Sequence, residues 1–258
     1  MFYECSNCRR PFPAFHLACP DCGSWNTLRQ EFCRTSAARP VALPDIDSLS
    51  VIRRKTTIAE LDELLGDGFV PGSTLLLVGP PGAGKSTLVM QVLRRMGLPS
   101  LYVTGEESLQ QLKLRADRLG IHSRGMYLLF ETNVNRIARC VLETSAKALV
   151  VDSIQTVYTD RSDSLPGSPT QIRKCTYILR RLAQEKGLIL MIVGQVTKEE
   201  KAAGPRLLEH AVDVVLALEF REDDRRILFA MKNRFGSTLP RCTMEMREDG
   251  IIFRRGLR

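Results

Sequence analysis

The sequence predicts an α/β fold in which a mainly parallel central sheet is covered by helices, antiparallel strands follow toward the C-terminus, and a small cysteine-rich module comes first. Three observations predict it. Short apolar runs at Leu101–Thr104, Met126–Phe130, Ala148–Val151 and Leu188–Val193 alternate with amphipathic stretches at Leu109–Leu119, Val134–Thr144 and Thr170–Glu185, as strand-helix-strand units do. Beyond Gly204 the apolar runs Val212–Phe220, Arg226–Met231, Cys242–Met246 and Ile251–Phe253 are joined by short polar connections without a helical pattern, which predicts an antiparallel extension. Two Cys-x2-Cys pairs stand near the N-terminus.

The first element is the cysteine module, expected over residues 1–27. Cys5 and Cys8, then Cys19 and Cys22, offer four thiolates to one tetrahedral zinc. So short a segment buries too little core to fold unaided, and metal binding would supply the difference. Four cysteines close the coordination shell, so the reading is structural and leaves His16 as a surface residue. The remaining cysteines, Cys33, Cys140, Cys175 and Cys242, are scattered and read as small apolar residues. This distribution suits a reducing cytoplasm rather than a disulfide framework. Residues 28–50, rich in Ala, Pro and Ser without periodicity, read as a linker, and residues 51–258 as the main domain.

No apolar run reaches membrane-spanning length, and the N-terminus lacks the basic and apolar regions of a secretory signal. The formal charge of +8, from 37 Lys and Arg against 29 Asp and Glu, favours polyanionic partners.

Thr57-Ile58-Ala59-Glu60 resembles a capping box, and Ile58, Leu61, Leu64 and Leu65 then form an apolar stripe that stops near Gly66. The apolar strand Leu75–Val78 leads into Gly79, Pro80, Pro81, Gly82, Ala83, Gly84, Lys85 and Ser86, and a helical pattern leaves through Thr87 to Met96. This is a P-loop in its required strand-loop-helix setting. Its backbone N–H groups cradle phosphates at a helix N-terminus, Lys85 reaches the β and γ oxygens, and the Ser86 hydroxyl ligates magnesium. ATP and Mg2+ are therefore the expected cofactors, beside zinc.

Leu149-Val150-Val151-Asp152 is an apolar strand ending in a carboxylate, the expected second anchor of the magnesium shell. Glu106 and Glu107 follow the strand Leu101–Thr104 after Gly105, at the carboxyl edge where open α/β sheets bind ligands. One of the two is the candidate general base, Glu106 or Glu107. Gln195, just past Gly194, is placed to sense the γ-phosphate. The polar segment from Thr197 to Arg206 reads as a loop that orders on ligand binding.

Together these residues resemble the bacterial RadA (Sms) family of DNA repair proteins. The match is carried in order by the four-cysteine segment running into Cys22-Gly23-Ser24-Trp25-Asn26-Thr27, the P-loop, and Lys232-Asn233-Arg234-Phe235-Gly236, the five-residue signature of that family. Pro166-Gly167-Ser168 and Gly204-Pro205-Arg206-Leu207-Leu208-Glu209-His210 are similar to family segments as well. The resemblance implies a RecA-like ATPase that assembles as a hexameric homo-oligomeric ring, binds single-stranded DNA and promotes branch migration of recombination intermediates. It implies a RecA-type recombinase or a replicative helicase as possible partners, gives Glu106 the position of the catalytic glutamate, and places Lys232 and Arg234 at a subunit interface near a neighbour's ATP and near DNA. A cation supplied in trans stabilises charge on the transferring phosphoryl group and makes hydrolysis depend on assembly.

The loops around Thr159–Thr170 and Lys198–Arg206, with Lys198, Lys201 and Arg206 as candidate phosphate contacts, are expected to face DNA. They contain few aromatic residues, so binding should be electrostatic and salt-dependent. Gln195 stands where the family commonly has His, and Glu200 where it commonly has Gly. Family members usually carry a Lon-protease-like domain after the ATPase core, whereas this sequence stops at Arg258. That motivates an alternative, a nucleotide-gated adaptor that docks on a helicase or on a longer RadA ring through its zinc module. The Glu106-Glu107 pair suggests a third, an autokinase of the KaiC type, against which the cysteine module argues.

Overall fold

The computed structural model describes residues 2–12, 14–31, 41–46, 52–195, 208–221 and 225–255, and the chain divides into two units, Met1–Ser50 and Val51–Arg258. In the first unit, β1 (Phe2–Cys5) is flanked by β2 (Pro11–Phe12) and β3 (Leu28–Glu31), both antiparallel to it. Residues 28–31, expected to begin a linker, therefore belong to the cysteine module: Leu28 pairs with Cys5 and Phe2 with Glu31. Among the described residues the buried core of this unit is Cys5, Cys19 and Leu28, with Tyr3, Cys8 and Phe12 partly buried against it, too little apolar area to hold a fold without another source of stability. Its aromatic residues Phe15 and Trp25 lie outside that core, exposed.

The second unit is built on a nine-stranded sheet. Along the chain come α1 (Ala59–Leu65), β4 (Thr74–Gly79), α2 (Lys85–Met96), β5 (Ser100–Thr104), α3 (Leu109–Arg118), β6 (Met126–Phe130) and α4 (Val134–Glu143). They are followed by β7 (Ala148–Asp152), α5 (Pro169–Lys186), β8 (Ile189–Gln195), β9 (Val214–Phe220), β10 (Arg226–Asn233), β11 (Arg241–Arg247) and β12 (Gly250–Arg255). The spatial order is β12-β11-β10-β9-β4-β8-β7-β5-β6. Strands β6 through β9 in that order are parallel, and β10, β11 and β12 are antiparallel. One strand departs from expectation. β9, assigned by sequence to the antiparallel group, pairs parallel with β4, so the reversal begins at β10.

Alternating side chains divide the core into two layers. Leu75, Leu77, Tyr102, Val150 and Met191 meet α1, α2 and α3 on one face; Leu76, Val78, Val103, Val151 and Ile192 meet α4 and α5 on the other. Strands buried on both faces read as continuous apolar runs, as parallel strands between helix layers must.

Helix ends follow their local chemistry. Ser108 caps α3 in a reciprocal box with Gln111, and Asn133 caps α4 through the N–H groups of Asn135 and Arg136. The capping box expected at Thr57 does not form, because Thr57 takes a positive φ of 60°. Asp62 accepts instead from the Thr56 N–H (2.7 Å) and hydroxyl (2.9 Å), and the Thr56 oxygen accepts from the Ile58 N–H. The start of α1 is thus fixed by a side chain from its own first turn.

Candidate nucleotide site and cysteine cluster

Parallel strands bring their carboxyl ends to one edge, and the register sets which residues meet there. Gly79 lies opposite Gln195, Thr104 opposite Asp152, and Asp152 opposite Val193. The P-loop leaves β4 at this edge and enters α2 through Gly84, whose φ of 98° suits glycine and whose missing Cβ would sit 3.0 Å from Met246 Sδ. Lys85 is buried, with Nζ donating to the carbonyls of Gly79 (2.8 Å) and Pro80 (2.9 Å). Burial lowers its pKa while Asp152 and Glu106 pull it back up. Lys85, Ser86, Gly82, Thr104, Glu106, Glu107 and Asp152 line a single pocket.

The acids in this pocket have distinct surroundings. Asp152 is held by the Tyr102 hydroxyl on the paired strand β5. Burial raises its carboxyl above the usual carboxylate range, against the hydrogen bonds of Ser86 and Tyr102. Tyr102 is fully buried, and burial followed by the Asp152 charge pushes its phenol well up. The Thr104 hydroxyl accepts the N–H groups of both Glu106 (3.2 Å) and Glu107 (3.0 Å), which turns the chain sharply at the strand end. From that turn the two carboxylates diverge. Glu107 forms a two-pronged pair with Arg115 of α3 (2.6 and 2.7 Å), while Glu106 accepts from Ser153 (2.6 Å).

The donor set fits a magnesium nucleotide: a lysine at the loop, a hydroxyl on Ser86 in contact with the Asp152 carboxylate, and backbone N–H groups at the start of α2. Gln195 ends β8 beside Gly79, and its side chain lies outside the described residues. Lys198, Lys201 and Arg206 also lie outside them. The loop after β7 is described, and it is organised by Gln171, a buried residue of α5. Its amide accepts the Thr159 N–H (3.0 Å) and donates to the carbonyls of Thr159, Ser162 and Ser164.

Lys232 and Arg234 lie at the other end of the sheet from the P-loop. Asn233 pairs with Val214, and Val214 with Leu75, so β10 ends level with the beginning of β4. Gly79 is four residues further along β4 and two strands across, roughly 13 Å along the strand and 10 Å sideways. Lys232 Nζ donates to the carbonyls of Glu209 and Val212 (2.7 Å for the latter). Burial, then Arg234, lowers its pKa. Arg234 pairs with Asp213 (3.1 Å), a buried carboxylate that also accepts the Thr74 N–H (3.0 Å). The other members of the five-residue segment dock on α1: Asn233 donates to Leu64 O (3.0 Å), Arg53 to Phe235 O (2.9 Å), and Gly236 packs where a Cβ would meet Gly66 Cα at 2.9 Å.

In the cysteine module the Sγ atoms of Cys5, Cys8, Cys19 and Cys22 lie within 4.8 Å of one another, with Cys5–Cys22 at 3.7 Å and Cys8–Cys19 at 3.6 Å. Four thiolates at about 2.3 Å from a tetrahedral zinc stand about 3.8 Å apart, so the cluster fits that ion. Hydrogen bonds at Ser24 draw the Cys22 thiol down to about 6, whereas, against the Arg10 backbone hydrogen bond, burial and the neighbouring sulfurs push Cys8 up to about 12.

Sequence reasoning missed Tyr102, Arg115, Ser153, Gln171 and Asp213. Their partners lie from eight to 139 residues away, and no local spacing marks them. Asp213 carried only a weak signal, an acid directly before an apolar strand.

Among the described residues no helix is long and apolar enough to cross a membrane. A family model described as "ATPase: KaiC" matches residues 54–127. A crystal structure of a KaiC-like protein from the archaeon Pyrococcus horikoshii OT3 superposes with a TM-score of 0.66 at 24% identity, covering 79% of this chain and 99% of that one; it shows the fold. Proteins named DNA repair protein RadA match over nearly the whole chain: 43% identity in Bacillus subtilis (strain 168), with 96% of this chain and 58% of the relative covered, and 41% in Halalkalibacterium halodurans, with the same coverage. The RadA of Pseudomonas aeruginosa PAO1 is 39% identical, again over 96% and 58%. The chain thus spans somewhat more than half the length of these relatives, carries a match to the KaiC ATPase family model behind a four-cysteine cluster, and is similar to the RadA proteins over nearly all of its own length.

Proposed function

We propose that this chain is a DNA-stimulated ATPase of recombinational repair that works in a homo-oligomeric ring on single-stranded DNA and recombination intermediates. The observation that carries the reading is the convergence of Lys85, Ser86, Glu106 and Asp152 on one pocket, with Glu107 diverted to Arg115. That diversion supports Glu106 of the two adjacent acids, since both carboxylate oxygens of Glu107 are taken by Arg115. Glu106 is the base. It orients a water beside the γ-phosphate and takes its proton as the oxygen attacks phosphorus; the bond to the bridging oxygen breaks, and ADP and inorganic phosphate leave. Lys85 and the P-loop N–H groups hold the phosphates, and Ser86 and Asp152 would hold the magnesium, which neutralises charge on the β and γ oxygens.

Lys232 and Arg234 are too far from the P-loop of their own chain to reach its nucleotide, which supports a role in a neighbour's site. An interface joining opposite ends of successive sheets is head-to-tail, and such interfaces build a ring where the rotation between subunits closes. The described loop after β7 leaves the sheet at the nucleotide edge, a position suited to DNA that reports to the site; Lys198, Lys201 and Arg206 are further candidate phosphate contacts. Zinc in the four-cysteine cluster would fold the module.

ATP turnover with and without single-stranded DNA tests the reading. Glu106→Gln should abolish turnover and spare nucleotide binding, whereas Glu107→Gln should keep at least a tenth of it, roughly the loss expected for an indirect positioning role. Full turnover by the Glu106 variant, or no response to DNA at any salt concentration, would reject the proposal.

A further inference from the structure

Ser153 is almost completely buried, a setting in which a hydroxyl needs a partner. Its partner is the carboxylate of Glu106: Ser153 Oγ donates to Glu106 Oε1 at 2.6 Å, the short separation of a charge-assisted O–H···O bond. Donor and acceptor come from neighbouring strands, Glu106 two residues past the end of β5 and Ser153 one residue past the end of β7, with Thr104 and Asp152 in register behind them.

The turn that carries Ser153 also packs against the backbone beside Glu106. A Cβ on Gly105 would stand 2.2 Å from Thr156 Oγ1 and 2.7 Å from Thr156 Cβ, so the Thr156 side chain lies directly over the Cα preceding Glu106. Thr156 Oγ1 donates in turn to Ser153 O at 2.9 Å. Glu106 is therefore held at its carboxylate by Ser153 and braced at its backbone by Thr156. Each acid of the pocket has its own fixed partner: Tyr102 for Asp152, Arg115 for Glu107 and Ser153 for Glu106.

We propose that Ser153 is a positioning residue for Glu106, selecting the rotamer in which its carboxylate lines the nucleotide pocket. The inference rests on Glu106 being the base. A glutamate has three side-chain torsions, and without the tether it would spread over several staggered wells. A base misplaced by about 1 Å costs on the order of a hundredfold in rate. Ser153 itself touches no phosphate and transfers no proton in this scheme. Its loss should therefore slow the chemical step and leave nucleotide affinity alone.

The test is steady-state and single-turnover ATP hydrolysis by the full chain, comparing the parent with Ser153→Ala, Ser153→Thr and Glu106→Gln, alongside equilibrium binding of a fluorescent ATP analogue and a thermal melt. Ser153→Ala should lower kcat by about tenfold or more with KM and analogue affinity within about twofold of the parent and a folded melt. Ser153→Thr, which keeps the hydroxyl, should recover most of the rate. Parental turnover in Ser153→Ala while Glu106→Gln is dead would overturn the positioning role alone. Equal losses in affinity and rate would mark Ser153 as structural and overturn it too. Parental turnover in Glu106→Gln would instead remove the assignment of the base on which the inference stands.

Discussion

Replacing Asp213 by alanine should destabilise the ATPase unit far more than replacing it by asparagine, because the carboxylate satisfies a backbone group as well as a cation. Its side chain is 8% exposed and accepts the Thr74 N–H at the start of β4 (3.0 Å). It also pairs with Arg234 at 3.1 Å and lies 3.8 Å from Arg180. Alanine leaves the Thr74 N–H buried without an acceptor, which costs about 1–3 kcal/mol. The ion pair adds about 1 kcal/mol rather than the larger figure for a fully buried pair, since the Arg234 side chain is 48% exposed and screened by solvent. The sum is about 2–4 kcal/mol. Asparagine keeps an acceptor for Thr74 and loses only the charge, so its cost should be about 1 kcal/mol. In a domain of this size each kcal/mol moves the melting temperature by about 2–4 °C, which makes the alanine variant melt roughly 5–15 °C lower. Thermal melts followed by far-UV circular dichroism, with urea titrations to confirm an unchanged slope, give the comparison. Equal losses in the two variants, or an alanine cost below about 0.5 kcal/mol, would show that the Thr74 hydrogen bond is not what Asp213 contributes.

Two further outcomes follow from the same geometry. Burial raises the Asp152 carboxyl above its unfolded value of 3.8, so its favourable contribution is complete below that value and is lost as pH rises through the folded one. Asp152→Asn should therefore raise the magnesium-free melting temperature near neutral pH, with the gain shrinking in acid, while it eliminates magnesium-dependent turnover; a variant that melts lower than the parent at neutral pH would contradict the desolvation argument. In the N-terminal unit, metal analysis should find about one zinc per chain, and a chelator that removes it should abolish hydrogen-exchange protection across residues 2–31. Retained protection after complete removal would mean that the three-residue core suffices.

The nucleotide site was legible because its chemistry is local. A run of eight residues from Gly79 to Ser86 carries the loop, and apolar strands ending in Asp152 or leading to Glu106 place the acids by their position alone. The sheet was legible for the same reason: a strand buried on both faces has one apolar run, which can be located within a residue or two. What escaped depended on distance in the chain. Whether β9 runs parallel to β4 is decided by a pairing across 139 residues, Leu75 with Val214, and nothing within Val214–Phe220 encodes it. The different partners of Glu106 and Glu107 were likewise beyond local reading, since Arg115 and Ser153 reach the pair from a helix and from the end of another strand. The failed capping box at Thr57 has a different cause. Two acceptors competed for the start of α1, and Asp62, reaching back to Thr56, won by making two hydrogen bonds where the box would have used Thr57 in a backbone conformation it does not adopt.

The five residues from Lys232 to Gly236 show how one short segment serves two demands. Asn233, Phe235 and Gly236 lock it to the C-terminal end of α1 through the Leu64 carbonyl, Arg53 and the close approach to Gly66. Only Gly fits against Gly66, and the Asn233 amide donates to Leu64 O while accepting the Phe235 N–H at 2.8 Å. These contacts fix the backbone, and so aim Arg234 between them and Lys232 just before them. Within the protomer both cations already have partners: carbonyls of Glu209 and Val212 for Lys232, and Asp213 for Arg234. A cation so engaged can serve a neighbour's phosphate only by sharing or exchanging those bonds, at a cost of about 1 kcal/mol for each hydrogen bond given up. An incoming phosphate repays this cost, since a charge-assisted bond to phosphate is roughly twice as strong as a neutral one. Under the trans reading, then, the partners at Glu209, Val212 and Asp213 make nucleotide and neighbour mutually dependent: the cations shift only when a phosphate is offered across an assembled interface.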